Sequence, residues 1–193
     1  MELKLLWYCT KSNLKLYKTR DNDYTTLNAK ANIFGYEELN GKIVAVSDYE
    51  VEEIRIITQY TTDKSWDVYL TPNLAPIELK EHSCLNDSML NKYKPNYAIH
   101  IQNLYEFIKP KELKDLYIKG AYHNPEQMFT DEIQINGEWF HPMKKAPQNM
   151  CYAVDEKGNR YVIISVHPEW LCLILNGLKD VELRRKVLKE MKE

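Results

Sequence analysis

Lys179, Glu182 and Arg184 set an ammonium, a carboxylate and a guanidinium close together near the end of the chain. Two cations so placed can hold a phosphate or polarise a carbonyl, and the carboxylate can accept an exocyclic amine or take a proton from water. The same charges could instead cancel as a structural ion pair, and the sequence leaves both readings open. A second group, Tyr8, Thr10 and Lys11, offers a ring, a hydroxyl and a charge at one strand end; the alternative is a strand end whose polar groups face water. Gln148 and Asn149, beside Pro147, could read a base edge through their amides, although such amides also satisfy turn backbone. Asp48, Glu50, Glu52 and Glu53 cluster at another strand end and read as a solvated face. His82 and Cys84 are the one close His/Cys pair. No C-x-x-C or H-x-x-x-H spacing occurs, so no metal is expected and the cysteines read as small buried hydrophobes. No phosphate loop, nucleophile elbow or dinucleotide fingerprint is present, and no cofactor is expected.

The elements that must position these groups follow from periodicity. An apolar run over residues 161–166 reads as a buried strand, and His167-Pro168 opens a helix in which Trp170, Leu173, Ile174 and Leu178 recur at helical spacing. Gly177 suits a left-handed helix end. Val181 and Leu183 then alternate with Glu182 and Arg184, a strand with two aliphatics on one face and two charges on the other. Upstream, residues 3–9, 42–48 and 97–107 read as strands, the last stopped by Lys109-Pro110. The β-branched content of residues 51–59 favours strand. Residues 12–28 and 61–76 read as loops, 27–39 as carrying a short helix, and Ser83 as the N-cap of a helix ending near Tyr93. Residues beyond Tyr117, to 130, read as loop. Asn136-Gly137 is the strongest hairpin signal, residues 155–159 form a turn, and residues after Arg184 form a thin terminal helix expected to fray.

The order Ser165-Val166-His167-Pro168, then Gly177, Lys179, Glu182 and Arg184 as G-x-K-x-x-E-x-R, resembles the opening of an ASCH domain, a branch of the PUA-like barrels. In that family this segment begins the domain. The rest of the pattern lies upstream. Trp7-Tyr8-Cys9-Thr10-Lys11 and Asn40-Gly41-Lys42-Ile43-Val44-Ala45 resemble the next strands of bacterial and phage members. Tyr97-Ala98-Ile99-His100-Ile101 with Lys109-Pro110-Lys111-Glu112-Leu113 resembles a late strand and its exit, and Ala146-Pro147-Gln148-Asn149-Met150-Cys151-Tyr152 the closing strand. Joining Glu193 to Met1 restores the family order. The resemblance therefore implies a circularly permuted, single α+β domain over residues 1–193, a PUA-like mixed β-barrel with peripheral short helices and an extra β-hairpin, and residues 161–186 at its end. The turn at 155–159 would link the family's old termini, which often lie close together. A fragment of a tandem array, or head-to-tail exchange between chains, would give the same sequence.

The resemblance also implies a function: binding of RNA, a nucleotide or a modified nucleoside in a cleft near residues 177–184, with Lys179 and Arg184 on anionic or carbonyl groups and Glu182 on the base or on water. Tyr8, Thr10 and Lys11 would extend the cleft. One bacterial branch hydrolyses N4-acetylcytidine with a lysine, a threonine three residues later and a distant glutamate. Lys179 matches that lysine, but Glu182 stands in the threonine's place and the glutamate has no counterpart. An acid cannot be the attacking hydroxyl, so an amidohydrolase would need Glu182 as a base for water. A ribonuclease using Lys179 and Glu182 is a further alternative. A third is a protein-interaction module that uses the hairpin and residues 12–28.

Composition bounds these readings. The chain has 193 residues, 44% hydrophobic and 28% charged, which suits an ordinary globular protein with one well-made core or two small ones. A net charge of -2 argues against coating long nucleic acid, a task that calls for a strongly basic face. Fourteen tyrosines and four tryptophans could stack on one or two bases or fill a core. The start of the chain lacks the pattern of a secretory signal, no apolar stretch is long enough to span a membrane, and four cysteines form no regular framework. A cytoplasmic address without membrane attachment is expected.

Overall fold

A computed structural model of the chain describes residues 3–13, 15–18, 24–27, 37–60, 66–71, 76–120 and 132–192. In chain order the strands are β1 (Lys4–Cys9), β2 (Lys15–Lys18), β3 (Tyr24–Leu27), β4 (Glu37–Glu38), β5 (Ile43–Glu53), β6 (Arg55–Tyr60), β7 (Trp66–Thr71), β8 (Tyr97–Lys111), β9 (Tyr117–Lys119), β10 (Ile133–Ile135), β11 (Glu138–Pro142), β12 (Met150–Val154), β13 (Arg160–Val166) and β14 (Val181–Arg184). The helices are α1 (Pro76–Ser83), α2 (Asp87–Tyr93) and α3 (Pro168–Leu175), with short 3-10 segments at Leu113–Asp115 and Lys189–Lys192. The fold is thus mostly strand with few helices. Nine strands form one open, mixed sheet in the order β10-β11-β9-β12-β13-β1-β5-β8-β14, β3-β2-β4 form a second, and β6-β7 pair as a hairpin.

The chain divides into two compact units, one of Met1–Ser47 with Tyr105–Cys172, the other of Asp48–Leu104 with Leu173–Glu193. At the heart of the first unit β1 and β13 run parallel, Leu5 opposite Val162 through Cys9 opposite Val166. Both are near-continuous apolar runs because both faces are covered, the signature of a central parallel pair. Leu6, Tyr8, Ile43, Leu116, Met143, Ala153 and Ile163 pack on one side. On the other side of β1, the indole Nε1 of buried Trp7 donates to Ser47 Oγ at 2.9 Å. β12 runs antiparallel to β13, with Met150 opposite Ile164 and Val154 opposite Arg160. The turn between them is tied by Asp155, whose Oδ1 accepts from the backbone N–H of Lys157 and of Asn159, both at 2.9 Å. Asn136 and Gly137 both adopt positive φ, 51° and 83°, as the two-residue turn between β10 and β11 requires. That hairpin pairs onward to β9, so it is part of the large sheet.

In the second unit α1, α2 and β14 share a core of Ile54, Leu79, Leu90, Ala98, Val181 and Leu183. β14 pairs antiparallel with β8, Val181 opposite His100 and Arg184 opposite Tyr97. The terminal segment docks instead of fraying: Met191 is buried, and Lys192 Nζ donates to the Tyr97 hydroxyl at 2.6 Å.

Several local expectations change. Residues 12–28, expected as a loop, contain β2 and β3, and residues 61–76 contain β7. The helix expected over 27–39 falls mostly outside the described residues. Ser83 is not an N-cap but the last residue of α1; Asn86 caps α2, its Oδ1 accepting from the N–H of Met89 at 2.9 Å. β8 continues through Pro110 to Lys111, because a proline ends a strand only where the ladder needs its missing N–H.

Candidate functional site

The two groups of candidate residues belong to different compact units. Lys179, Glu182 and Arg184 lie in the second unit and are buried, Lys179 only 3% exposed. Lys179 Nζ donates to the carbonyl of Ser83 at 2.7 Å and of Val181 at 2.9 Å, and sits 3.3 Å from Glu182 Oε2. Those three partners match the three donors of an ammonium. Glu182 Oε1 is 2.9 Å from Arg184 Nη2, so the carboxylate bridges the two cations. Ser83 is the last residue of α1, and its carbonyl is one of the orphan acceptors at a helix end, where a cation also meets the favourable end of the dipole. Arg185 does the same for α2, donating from Nε to the Tyr93 carbonyl and from Nη2 to that of Lys92 at 3.2 Å. The segment therefore pins the ends of two helices to β14. To touch a ligand, Lys179 would first have to leave its carbonyls.

The other candidates converge in the first unit, at the carboxyl ends of β13 and β1 and the amino end of β12. The strand order there is β12-β13-β1. Cys9 and Val166 are the last paired residues of β1 and β13, and the Thr10 N–H donates to the Val166 carbonyl at 3.0 Å. Past those ends stand Thr10, Lys11 and His167, with Thr10 Oγ1 3.3 Å from His167 Nδ1. Before β12, the loop over 143–149 is tied to β13: the Ser165 N–H donates to the Asn149 carbonyl at 3.0 Å and Ser165 Oγ to that of Pro147 at 2.7 Å. Gln148 and Asn149 are thereby held at the same strand end as His167. Lys11 is exposed and its stem crosses Gly41, where an added Cβ would lie 2.9 Å from Lys11 Cε. Gly41 has φ of +78° and donates its N–H to the Cys9 carbonyl at 2.8 Å, so the Asn40-Gly41 turn fixes the floor under that lysine.

Tyr8 does not join them as a stacking surface. It is buried in the core, and burial, with Cys9 and Glu112 nearby, raises its hydroxyl pKa. Cys9 is inert for a similar reason: burial first, then the charges of Glu169 and Glu38, push its thiol up to about 12. Those two carboxylates also make the field at this strand end mixed.

His167, Lys144 and Lys145 are the residues that sequence reasoning passed over. His167 was legible as the residue between a buried strand and a helix-opening proline, and the lysine pair as charges flanking the Pro147 loop. All three are exposed.

Elsewhere the acidic cluster is tied down. Asp48 Oδ2 accepts from Asn103 Nδ2 at 2.8 Å, Glu50 Oε2 from Gln102 Nε2 at 3.4 Å, and Glu52 Oε2 is 3.0 Å from His100 Nε2. His82 Nδ1 meets Asp180 Oδ1 at 2.7 Å, while Cys84 Sγ turns to the Leu178 carbonyl at 3.2 Å. Among the described residues no group of three or more His, Cys, Asp or Glu could hold a metal ion. None of the described helices is long and apolar enough to cross a membrane. The chain matches no family model, no curated protein and no solved structure.

Proposed function

We propose that the chain is an ASCH-like reader of a nucleotide, a modified nucleoside or a short RNA, with its ligand surface at the carboxyl ends of β1 and β13. The observation that carries this reading is convergence: Thr10, Lys11, Gln148 and Asn149, far apart in sequence, share one strand end with His167. Ligands of α/β sheets favour the carboxyl ends of parallel strands, and β1 and β13 are such a pair. Lys11, Lys144 and Lys145 supply cations, and Gln148 and Asn149 supply amides that suit a base edge. The PUA-like barrel and the permuted order of residues 161–186 belong to the same proposal, as does a cytoplasmic address, where such ligands are met.

In this reading the Lys179, Glu182 and Arg184 cluster supports the fold and is not the ligand cleft. That burial also weighs against catalysis by Lys179 and Glu182, since neither has an open approach to a scissile bond. A protein-interaction module is the second reading, favoured by Trp139 and Ile118, which are large, apolar and partly exposed on β11 and β9. The test is to incubate the protein with a panel of modified nucleosides and short RNAs, follow binding and products by mass spectrometry, and repeat with Lys11→Ala and Gln148→Ala. Binding lost in both variants supports the proposal. Binding of none of the panel would transfer the case to the protein-interaction reading.

A further inference from the structure

We infer that the ligand carries a phosphate, held by His167, with its base laid across the strand ends toward Gln148 and Asn149. This rests on the ligand surface proposed above and assigns its two ends.

His167 supplies the first step. Its Nδ1 lies 3.3 Å from Thr10 Oγ1, and the ring is exposed, so Nε2 is the nitrogen left to meet a ligand. When the Thr10 hydroxyl donates to Nδ1, the ring proton is on Nε2; when the ring is charged, both nitrogens donate. An anion at Nε2 selects these two states over the one in which Nε2 is bare. Thr10 is therefore a positioning residue for His167. Lys11, whose stem lies over Gly41 on the β5 side of β1, adds positive charge to the same strand end from the far side of that strand. α3 opens directly after His167, and the sign of its amino-terminal dipole adds to theirs.

Spacing supplies the second step. Gln148 and Asn149 lead into β12, His167 leaves β13 and Thr10 leaves β1, and these strands are neighbours. One strand spacing, about 5 Å, separates β12 from β13, and the side chains of His167 and Gln148 extend the reach between them. A single nucleotide laid across them would put its phosphate at one side and its base edge at the other. An amide pair fits the base side, because it offers both donors and acceptors and no net charge.

A carboxylate gives an independent handle. Glu169 stands in the first turn of α3, two residues after His167, so its charge opposes an anion bound at that strand end. Removing one such charge at the distance of a neighbouring side chain strengthens anion binding about twofold to threefold near a protein surface. It leaves an uncharged nucleoside unaffected.

The experiment is calorimetric titration of the full chain with the four common ribonucleosides, their 5′-monophosphates and inorganic phosphate. The best monophosphate is expected to bind at least about tenfold more tightly than its nucleoside, the worth of one charge-assisted hydrogen bond. His167→Ala should remove most of that ratio while holding nucleoside affinity within about twofold, and His167→Gln should keep part of it. Gln148→Ala should weaken nucleoside and monophosphate alike, and Glu169→Gln should tighten the monophosphate alone. Thermal melting of each variant checks that it is folded. Equal affinity for nucleoside and monophosphate would overturn the phosphate assignment while leaving the ligand surface standing. Inorganic phosphate binding as tightly as any monophosphate would overturn the base assignment. Failure of every nucleoside and monophosphate to bind would overturn the ligand surface itself and this inference with it.

Discussion

Replacing Lys179 by methionine keeps an unbranched side chain, one atom shorter, and deletes its charge and its three donors. The carbonyls of Ser83 and Val181 would lose their Nζ partner, and Glu182 would keep only the Arg184 contact. Breaking a buried ion pair by removing one partner costs about 3–5 kcal/mol, because the remaining groups stay desolvated. Methionine returns a part of that by filling the lysine's volume with apolar surface, which puts the net loss near about 3 kcal/mol. For a chain of this size each kcal/mol moves the melting temperature by about 2–4 °C, so Lys179→Met should melt about 6–12 °C below the parent. The assay is thermal unfolding followed by circular dichroism, with a urea titration to check that the slope is unchanged. Glu182→Gln alone and the double variant complete a cycle, and the two losses should be far from additive because the groups touch. A Lys179→Met protein that melts within about 2 °C of the parent, yet binds no nucleotide, would refute the reasoning and return Lys179 to the ligand surface.

Three other outcomes follow from the geometry. Asp155 is partly buried, which alone would raise its pKa, but hydrogen bonds from Asn159, Lys157 and Tyr161 outweigh this and hold it below the ordinary value. Its contribution is therefore present above the unfolded carboxylate pKa, near 4, and fades as pH falls through the lower folded value; Asp155→Asn should lose about 1–3 kcal/mol at pH 7 and less under acid, read by urea unfolding across pH. Gly41→Ala meets both a positive φ and the Lys11 stem, so it should cost about 1–2 kcal/mol and weaken nucleotide binding by displacing Lys11, whereas Gly137→Ala, with open space around its Cβ, should leave binding unchanged in the same titration. Cys9, with its thiol pushed up to about 12, should be the last cysteine modified by a thiol-specific reagent at pH 8 in the native protein, and quantitative peptide mapping that found it labelled before Cys84 would contradict its burial.

What the sequence made legible was the part written in local chemistry. The buried β13, α3 opening at Pro168, and the Asn136-Gly137 hairpin all follow from periodicity and turn residues, and all are present. α1 was missed because its segment P-I-E-L-K-E-H-S carries no apolar stripe; it is held by Leu79 in the core and by Lys179 on its last carbonyl. β2 and β3 were read as loops because such four-residue strands owe their existence to the partners they pair with, which a linear pattern does not carry; β7, W-D-V-Y-L-T, does alternate Trp66, Val68 and Leu70 with other residues, a strand signal that was passed over. The candidate residues were chosen by type, and type could not say which charges would be sealed. Lys179 and Glu182 form a motif in sequence but are satisfied by carbonyls and by each other, whereas Thr10 and His167, 157 positions apart, meet only because β1 and β13 are parallel neighbours.

The most direct measurement is where a nucleotide lands. A titration of isotopically labelled protein with the tightest-binding ribonucleoside monophosphate, followed residue by residue through the backbone amide signals, should move Thr10, Lys11, Gln148, Asn149, His167 and Glu169 together and leave Lys179, Glu182 and Arg184 in place. Shifts centred on residues 177–184, with the strand end of β1 and β13 silent, would contradict the account.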